Sequence, residues 1–166
     1  MLSPDIVHSH EIQMFSDASG FAAGGFVRNH WYQLTFTKSE RMLFVHHKEC
    51  FAVFLLLVIA NMVYDLRGRK LRMWCDNEGL VKLFRPPRMV SKDLLLMKCI
   101  RKIQFFAIKN GFSFVFSWIA GKKNIVADDI SRYRQQKHIS NGVLTTSSTF
   151  EHESFDHFNF TLIVFV

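Results

Sequence analysis

The chain has 166 residues, enough for one domain with a sizeable core and too few for two; apolar residues make up 49% of it and include 18 Phe. A formal net charge of +7 favours a polyanionic partner, nucleic acid or an acidic membrane face. Cys50, Cys75 and Cys99 are odd in number and widely spaced, which excludes a disulfide framework and a cysteine-based zinc site.

In chain order, residues 1–10 read as a lead-in and 11–17 as a strand, with Ile12 and Met14 on one face and Phe15 and Asp17 on the other. Ala18-Ser19-Gly20 opens a turn, and Ala22, Ala23, Gly24 and Gly25 allow close backbone approach beside Asp17. Residues 26–28 and 31–36 fit a hairpin closed by Asn29-His30. Thr37 and Glu40 have the spacing of a capping box, or belong to a loop. A helix is expected over 46–64; its centre is apolar all round, as for a helix buried between a sheet and other helices. The apolar run 50–60 has eleven residues, about half of the roughly 20 needed to span a bilayer.

Residues 71–76 alternate and end in Asp76, followed by a short helix over 78–84 that Pro86-Pro87 stops. Ser91 is the expected cap of a second long helix, 93–109, with Leu94, Met97, Ile100, Ile103, Phe105 and Phe106 on its buried side and Asn110-Gly111 at its end. Residues 112–119 form the clearest strand. Asn124 is the expected cap of a last helix, 125–134. The order βββ-α-β-α-α-β-α describes one α/β domain over 11–134, built on a mixed five-stranded sheet: three antiparallel strands, then parallel additions. Residues 135–166 are expected to be a loosely ordered tail or an added strand. The start of the chain lacks the charged segment and apolar run of a signal peptide. An intracellular, membrane-free protein is expected, in cytoplasm or nucleus.

Four carboxylates stand at element ends: Asp17, Glu49, Asp76 and Asp128. Open α/β sheets present chemistry at the C-terminal ends of their strands. Mg2+ takes hard oxygen ligands, and paired divalent ions can drive phosphodiester hydrolysis, so converging carboxylates on a basic chain point to a metal-dependent phosphodiester site. Asp129 neighbours Asp128 about 100° away on a helix, so only one of them faces such a site. By the same geometry His46 and His47 are expected to diverge, and they read as polar helix-start residues.

The segments FSDASGFAAGG, HHKECFAVFLLL, LRMWCDNEGLVKLF and SWIAGKKNIVADDISR, in this order, resemble the ribonuclease H domain of retrotransposon polyproteins, most closely the reverse-transcriptase-linked domains of DIRS-like elements. The resemblance covers roughly 11–134 and implies a ribonuclease H-like fold. It implies Asp17, Glu49, Asp76 and Asp128 as catalytic metal ligands for two Mg2+ ions, with Mn2+ as a substitute, and cleavage of the RNA strand of RNA–DNA hybrids. Discrimination would come from minor-groove contacts to 2′-hydroxyls. Ser19, Asn77, Arg85, Lys122 and Lys123 are candidate substrate contacts, and a reverse transcriptase domain of the same element is the candidate protein partner. Trp118 and Ala120 depart from the family's His and Pro, and Asp129 from a small apolar residue. The alternatives are a catalytically silent relic that binds hybrid or duplex nucleic acid, and an integrase-type strand transferase; the intact carboxylate set speaks against the first, and the DN and ADxxSR segments against the second. The Phe and Trp residues are expected to be core rather than a stacking platform.

Overall fold

The computed structural model describes residues 11–85, 91–151 and 163–165; the expected lead-in and the Pro86-Pro87 helix stop lie outside them. Strands β1 (Glu11–Ala18), β2 (Ala22–Val27) and β3 (His30–Thr35) form an antiparallel meander. A capped turn of helix, α1 (Lys38–Arg41), leads into α2 (Val45–Val63). Strand β4 (Lys70–Cys75), α3 (Glu78–Leu83), α4 (Leu94–Asn110), β5 (Ser113–Trp118) and α5 (Ile125–Ser131) follow. The chain then continues through α6 (Gln136–Ser140), β6 (Thr146–Glu151) and β7 (Ile163–Phe165).

The sheet runs β5-β4-β1-β2-β3-β6-β7, with β4 parallel to β1, β5 parallel to β4, β6 parallel to β3 and β7 antiparallel to β6. The mixed sheet matches the expected one through its first five strands; β6 and β7 extend it to seven. The extension pairs His30 with Thr146 and sets His30 Nε2 2.8 Å from Ser148 Oγ, a buried contact between side chains far apart in sequence.

Two adjacent glycines show how the layers are arranged. Successive strand residues point to opposite faces of a sheet. A Cβ on Gly24 would lie 2.7 Å from the Ser131 nitrogen of α5, and one on Gly25 would lie 3.2 Å from Leu56 Cδ2 of α2. Strand β2 is therefore sandwiched, α5 against one face and α2 against the other, and only hydrogen fits at either position. By length and composition α2 is long and apolar enough to cross a membrane, but 67% of its apolar window is buried. It packs on β1, β2 and α4 with Leu55, Leu56, Leu57 and Ile59 fully covered. On the opposite face, beyond α5, Phe15 stacks on Phe26 at 4.9 Å and on Trp74 at 6.3 Å.

Several local expectations shift. The β2–β3 hairpin turns on Arg28-Asn29, not Asn29-His30: Val27 pairs with His30, and Arg28 takes the positive φ of 54° that a two-residue turn demands. The Thr37–Glu40 capping box is formed in full. Asp93, not Ser91, caps α4: its carboxylate accepts from the backbone N–H groups of Leu95 and Leu96, while the Ser91 hydroxyl accepts from Asp93 N. The buried side of α4 is Leu96, Cys99, Ile100, Ile103 and Ala107; Leu94 and Phe105 are exposed, because the stripe is rotated by about one position. Gly111, at φ 69°, ends the helix in the left-handed conformation. Helix α5 stops at Ser131, short of Arg134, and Asn124 sits at its N-cap without a side-chain hydrogen bond to it. The Asn124 amide instead donates to Ser16 O at 2.9 Å, tying α5 to β1.

Candidate active site

Strands β1 and β4 are parallel neighbours in the register Phe15–Trp74, so two residues further along each lie Asp17 and Asp76. Adjacent strand ends on a parallel pair thus bring together carboxylates 59 positions apart in sequence. Asp17 pairs with Gly24 across β1–β2 and shares its face, the one covered by α5. There Ser131 Oγ donates to Asp17 Oδ2 at 2.6 Å and also lies 2.9 Å from Asp128 O. From the other face, α2 delivers Glu49, whose Oε1 accepts from the backbone N–H of Ala18 at 3.3 Å. Its second oxygen lies 4.0 Å from Cys75 Sγ, and ligand atoms of Glu49, Cys75 and Asp76 all fall within 4.8 Å of one another.

The four acids are close enough to act on one another electrostatically. Burial pushes the Asp17 carboxyl from the usual 3.8 up to about 6, and the charges of Asp76 and Asp128 add to the push. The Ser131 hydrogen bond and the Arg132 charge oppose it. Burial raises Glu49 well above the carboxylate range, helped by Asp17 and Asp76, and it also raises Asp76, with Asp128 contributing. Cys75 is held as a thiol: burial first, then the Glu49 charge, drives it well above its ordinary value. The donor set is therefore carboxylate oxygen, which suits Mg2+ or Mn2+ rather than a thiophilic ion. Bare carboxylates crowded this way are electrostatically frustrated, and a cation among them removes the frustration. The residues fit a divalent ion.

Asp128 is about one-third exposed. Its Oδ1 accepts from Arg132 Nε at 2.6 Å, and its Oδ2 lies 3.6 Å from an Arg134 nitrogen. Asp129, its neighbour on α5, is buried and points away, pairing with the exposed Lys137 Nζ at 2.7 Å and the buried His138 Nε2 at 2.8 Å. Those partners come from α6, so Asp129 holds the C-terminal extension while Asp128 faces the cluster.

The candidate substrate contacts divide. Ser19 is buried, and its hydroxyl is occupied within the turn and with Ser131 O at 2.6 Å, which makes it a brace between β1 and α5. Asn77 caps α3 by accepting from Leu80 N at 3.0 Å. Arg85 lines an open groove of about 240 Å³ with Glu78, Val81, Lys82 and Trp118. Lys122 and Lys123 are exposed on the short turn that precedes α5, where a Cβ on Gly121 would sit 3.0 Å from Asp76 Oδ2.

Three contributors escaped the sequence reading. Ser131 lies three residues after Asp128, on one helix face with it, and that spacing was a usable signal. Arg132 stands at i,i+4 from Asp128, equally legible. Trp118 was expected in the core, yet it is 49% exposed and donates its indole N–H to Asp76 O at 3.2 Å. It is the last residue of β5, on the rim of the open groove beside α3, where strand alternation no longer implies burial. His46 and His47 also depart from expectation: their rings lie 4.3 Å apart instead of diverging, and both reach Asp93.

No protein-family model matches the sequence, and no curated protein matches it. Solved structures do. The RNase H1 of the halophilic archaeon Halobacterium salinarum superposes with a TM-score of 0.60 at 13% identity, over 76% of this chain and 98% of that one. LC11-RNase H1, isolated from compost by a metagenomic approach and solved with an RNA/DNA hybrid, gives 0.62 at 20% identity, over 78% of this chain and 99% of its own. The N-terminal RNase H domain of rv2228c from Mycobacterium tuberculosis gives 0.51 at 14% identity, over 79% and 99%. At these identities the likeness concerns the fold: the chain has the α/β ribonuclease H-like fold, with antiparallel β1-β2-β3, parallel additions and flanking helices.

Proposed function

We propose that this chain hydrolyses the RNA strand of RNA–DNA hybrids as the ribonuclease H part of a retroelement polyprotein, working beside a reverse transcriptase domain. The observation that carries the reading is the convergence of Asp17, Glu49, Asp76 and Asp128 from β1, α2, the end of β4 and α5 onto one cluster. The fold shared with LC11-RNase H1, whose structure holds an RNA/DNA hybrid, supports the choice of substrate.

A pair of Mg2+ ions held by these carboxylates would activate the attacking water and stabilise the departing 3′-oxygen. The protein's own part is to hold the ligands rigid. The Ala18 N–H fixes Glu49, the Ser131 hydroxyl fixes Asp17, and the Trp118 indole pins the backbone at Asp76. Lys82 and Arg85 in the groove, and Lys122 and Lys123 on the turn before α5, offer phosphate contacts whose strength falls with salt. Contacts to 2′-hydroxyls in the minor groove would select RNA for cutting.

One observation favours a second reading. Arg132 already satisfies Asp128, as expected of a silent module that binds hybrid without cutting it. Cleavage of a labelled RNA–DNA hybrid with Mg2+ and with chelator, beside single-stranded RNA and duplex DNA, separates the two. The expected result is hybrid-only, Mg2+-dependent cutting, reduced more than about 100-fold in Asp76→Asn while hybrid binding persists. Binding without cutting by the folded parent would establish the silent module instead.

A further inference from the structure

Outside the carboxylate cluster, a second group of metal-ligating side chains is assembled where α2 begins against the first turn of α4. His47 Nε2 lies 2.7 Å and His46 Nε2 3.1 Å from the same oxygen, Asp93 Oδ2. One ligand atom from each residue falls within 4.8 Å of the other two. We propose that His46, His47 and Asp93 form a transition-metal site that takes Zn2+, separate from the carboxylate centre.

Three features of the arrangement support it. First, the donor chemistry: two imidazole nitrogens and one carboxylate oxygen prefer Zn2+ over Mg2+, whereas the all-oxygen cluster has the opposite preference. Second, the ligands are oriented from behind. Asp93 Oδ1 accepts from Leu95 N and Leu96 N, both at 3.0 Å, leaving Oδ2 turned to the histidines. Phe44 stacks on the His46 ring at 5.7 Å with an interplanar angle of 6°. Such supporting contacts hold a ligand set in place before the ion arrives. Third, the spacing is close to that of a site. Zinc bonds of about 2.0–2.2 Å in tetrahedral array put ligand atoms roughly 3.3 Å apart, so small rotations about the side-chain bonds suffice.

His47 is buried with Nε2 turned to Asp93 Oδ2, and since its Nδ1 has no hydrogen-bond partner, packing alone holds the ring. His46 and Asp93 are about one-third exposed, which leaves an entry path and a fourth position for water. Unequal partners thus complete a three-ligand, open site. His47 lies two residues before Glu49 on α2, so a bound ion would staple the turn that carries Glu49 to the start of α4.

The test is zinc binding by the full chain in excess Mg2+, which occupies the carboxylate cluster, followed by calorimetric titration and thermal unfolding. The parent is expected to bind one Zn2+ per chain, with a melting temperature higher by about 5–10 °C at roughly 100 times the Kd. Asp93→Asn keeps an N-cap acceptor of the same size, and His46→Gln changes a partly exposed side chain. Each is expected to weaken zinc at least tenfold without lowering the metal-free melting temperature by more than a few degrees, roughly. Asp76→Asn should leave zinc binding unchanged. No zinc uptake by the parent, or equal affinity in Asp93→Asn and His46→Gln, would overturn the site; the second result would assign the ion to the tail histidines His152 and His157 or to the carboxylates.

Discussion

Asp17 is a residue whose charge the fold resists, and Asp17→Asn measures that cost. Its carboxyl rises from the usual 3.8 to about 6 on folding, chiefly through burial. At about 1.4 kcal/mol per unit, the ionised group destabilises the metal-free protein by about 3 kcal/mol. The sign follows from proton binding. Between the two values the folded state holds more protons than the unfolded one, so stability falls as pH rises from about 4 to about 6, then levels. Asparagine at 17 carries no charge, and its Oδ1 can still accept from Ser131. In chelator, Asp17→Asn is therefore expected to be more stable than the parent by about 3 kcal/mol near pH 7.5, falling to about 1 kcal/mol near pH 4.5. For a domain of this size the larger figure corresponds to a melting temperature higher by about 6–12 °C, readable by circular dichroism. Glu49 is raised in the same direction and is common to both proteins, so both curves should slope down with pH above its unfolded value. Saturating Mg2+ should narrow the gap, because the ion stabilises the parent more than the variant. A variant no more stable than the parent at pH 7.5, or a gap that ignores pH, would refute the argument that burial strains this cluster.

Two further outcomes follow from packing and charge. Gly24→Ala places a methyl group 2.7 Å from Ser131 N and 2.8 Å from Ile130 Cγ2, pushing α5 off β2. The expected loss is about 1–3 kcal/mol in urea unfolding, with hybrid cleavage falling too, since Asp128 and Ser131 ride on α5. Arg85→Ala removes a groove cation at an exposed position. Stability should stay within about 0.5 kcal/mol, while the slope of log hybrid affinity against log salt falls by about 1; an unchanged slope would remove Arg85 from the interface.

Much of this protein was determined by short-range pattern. Strict alternation located β1, β4 and β5, and continuous apolarity located α2, because burial on one face or on all faces leaves a periodic trace in the residues themselves. The carboxylates were legible because they fall at element ends, where strand and helix periodicity stops. Asp76 after β4 and Glu49 early in α2 needed no knowledge of what lay opposite them.

Tertiary structure decided the rest. Whether Asp128 or Asp129 faces the cluster depends on the rotation of α5, which is set by Gly24 beneath it and by Lys137 and His138 beyond it. The capping of α4 passed from Ser91 to Asp93 because a carboxylate there meets two backbone donors and two histidines at once. Trp118 left the core because it ends β5 on the rim of an open groove beside α3. The tail became α6 and β6 because the outer edge of β3 was free to pair and Asp129 offered a buried anchor. Composition is blind to such outcomes: a side chain's local sequence sets its period and preference, but its partner is chosen by whatever the rest of the chain brings within a few ångströms.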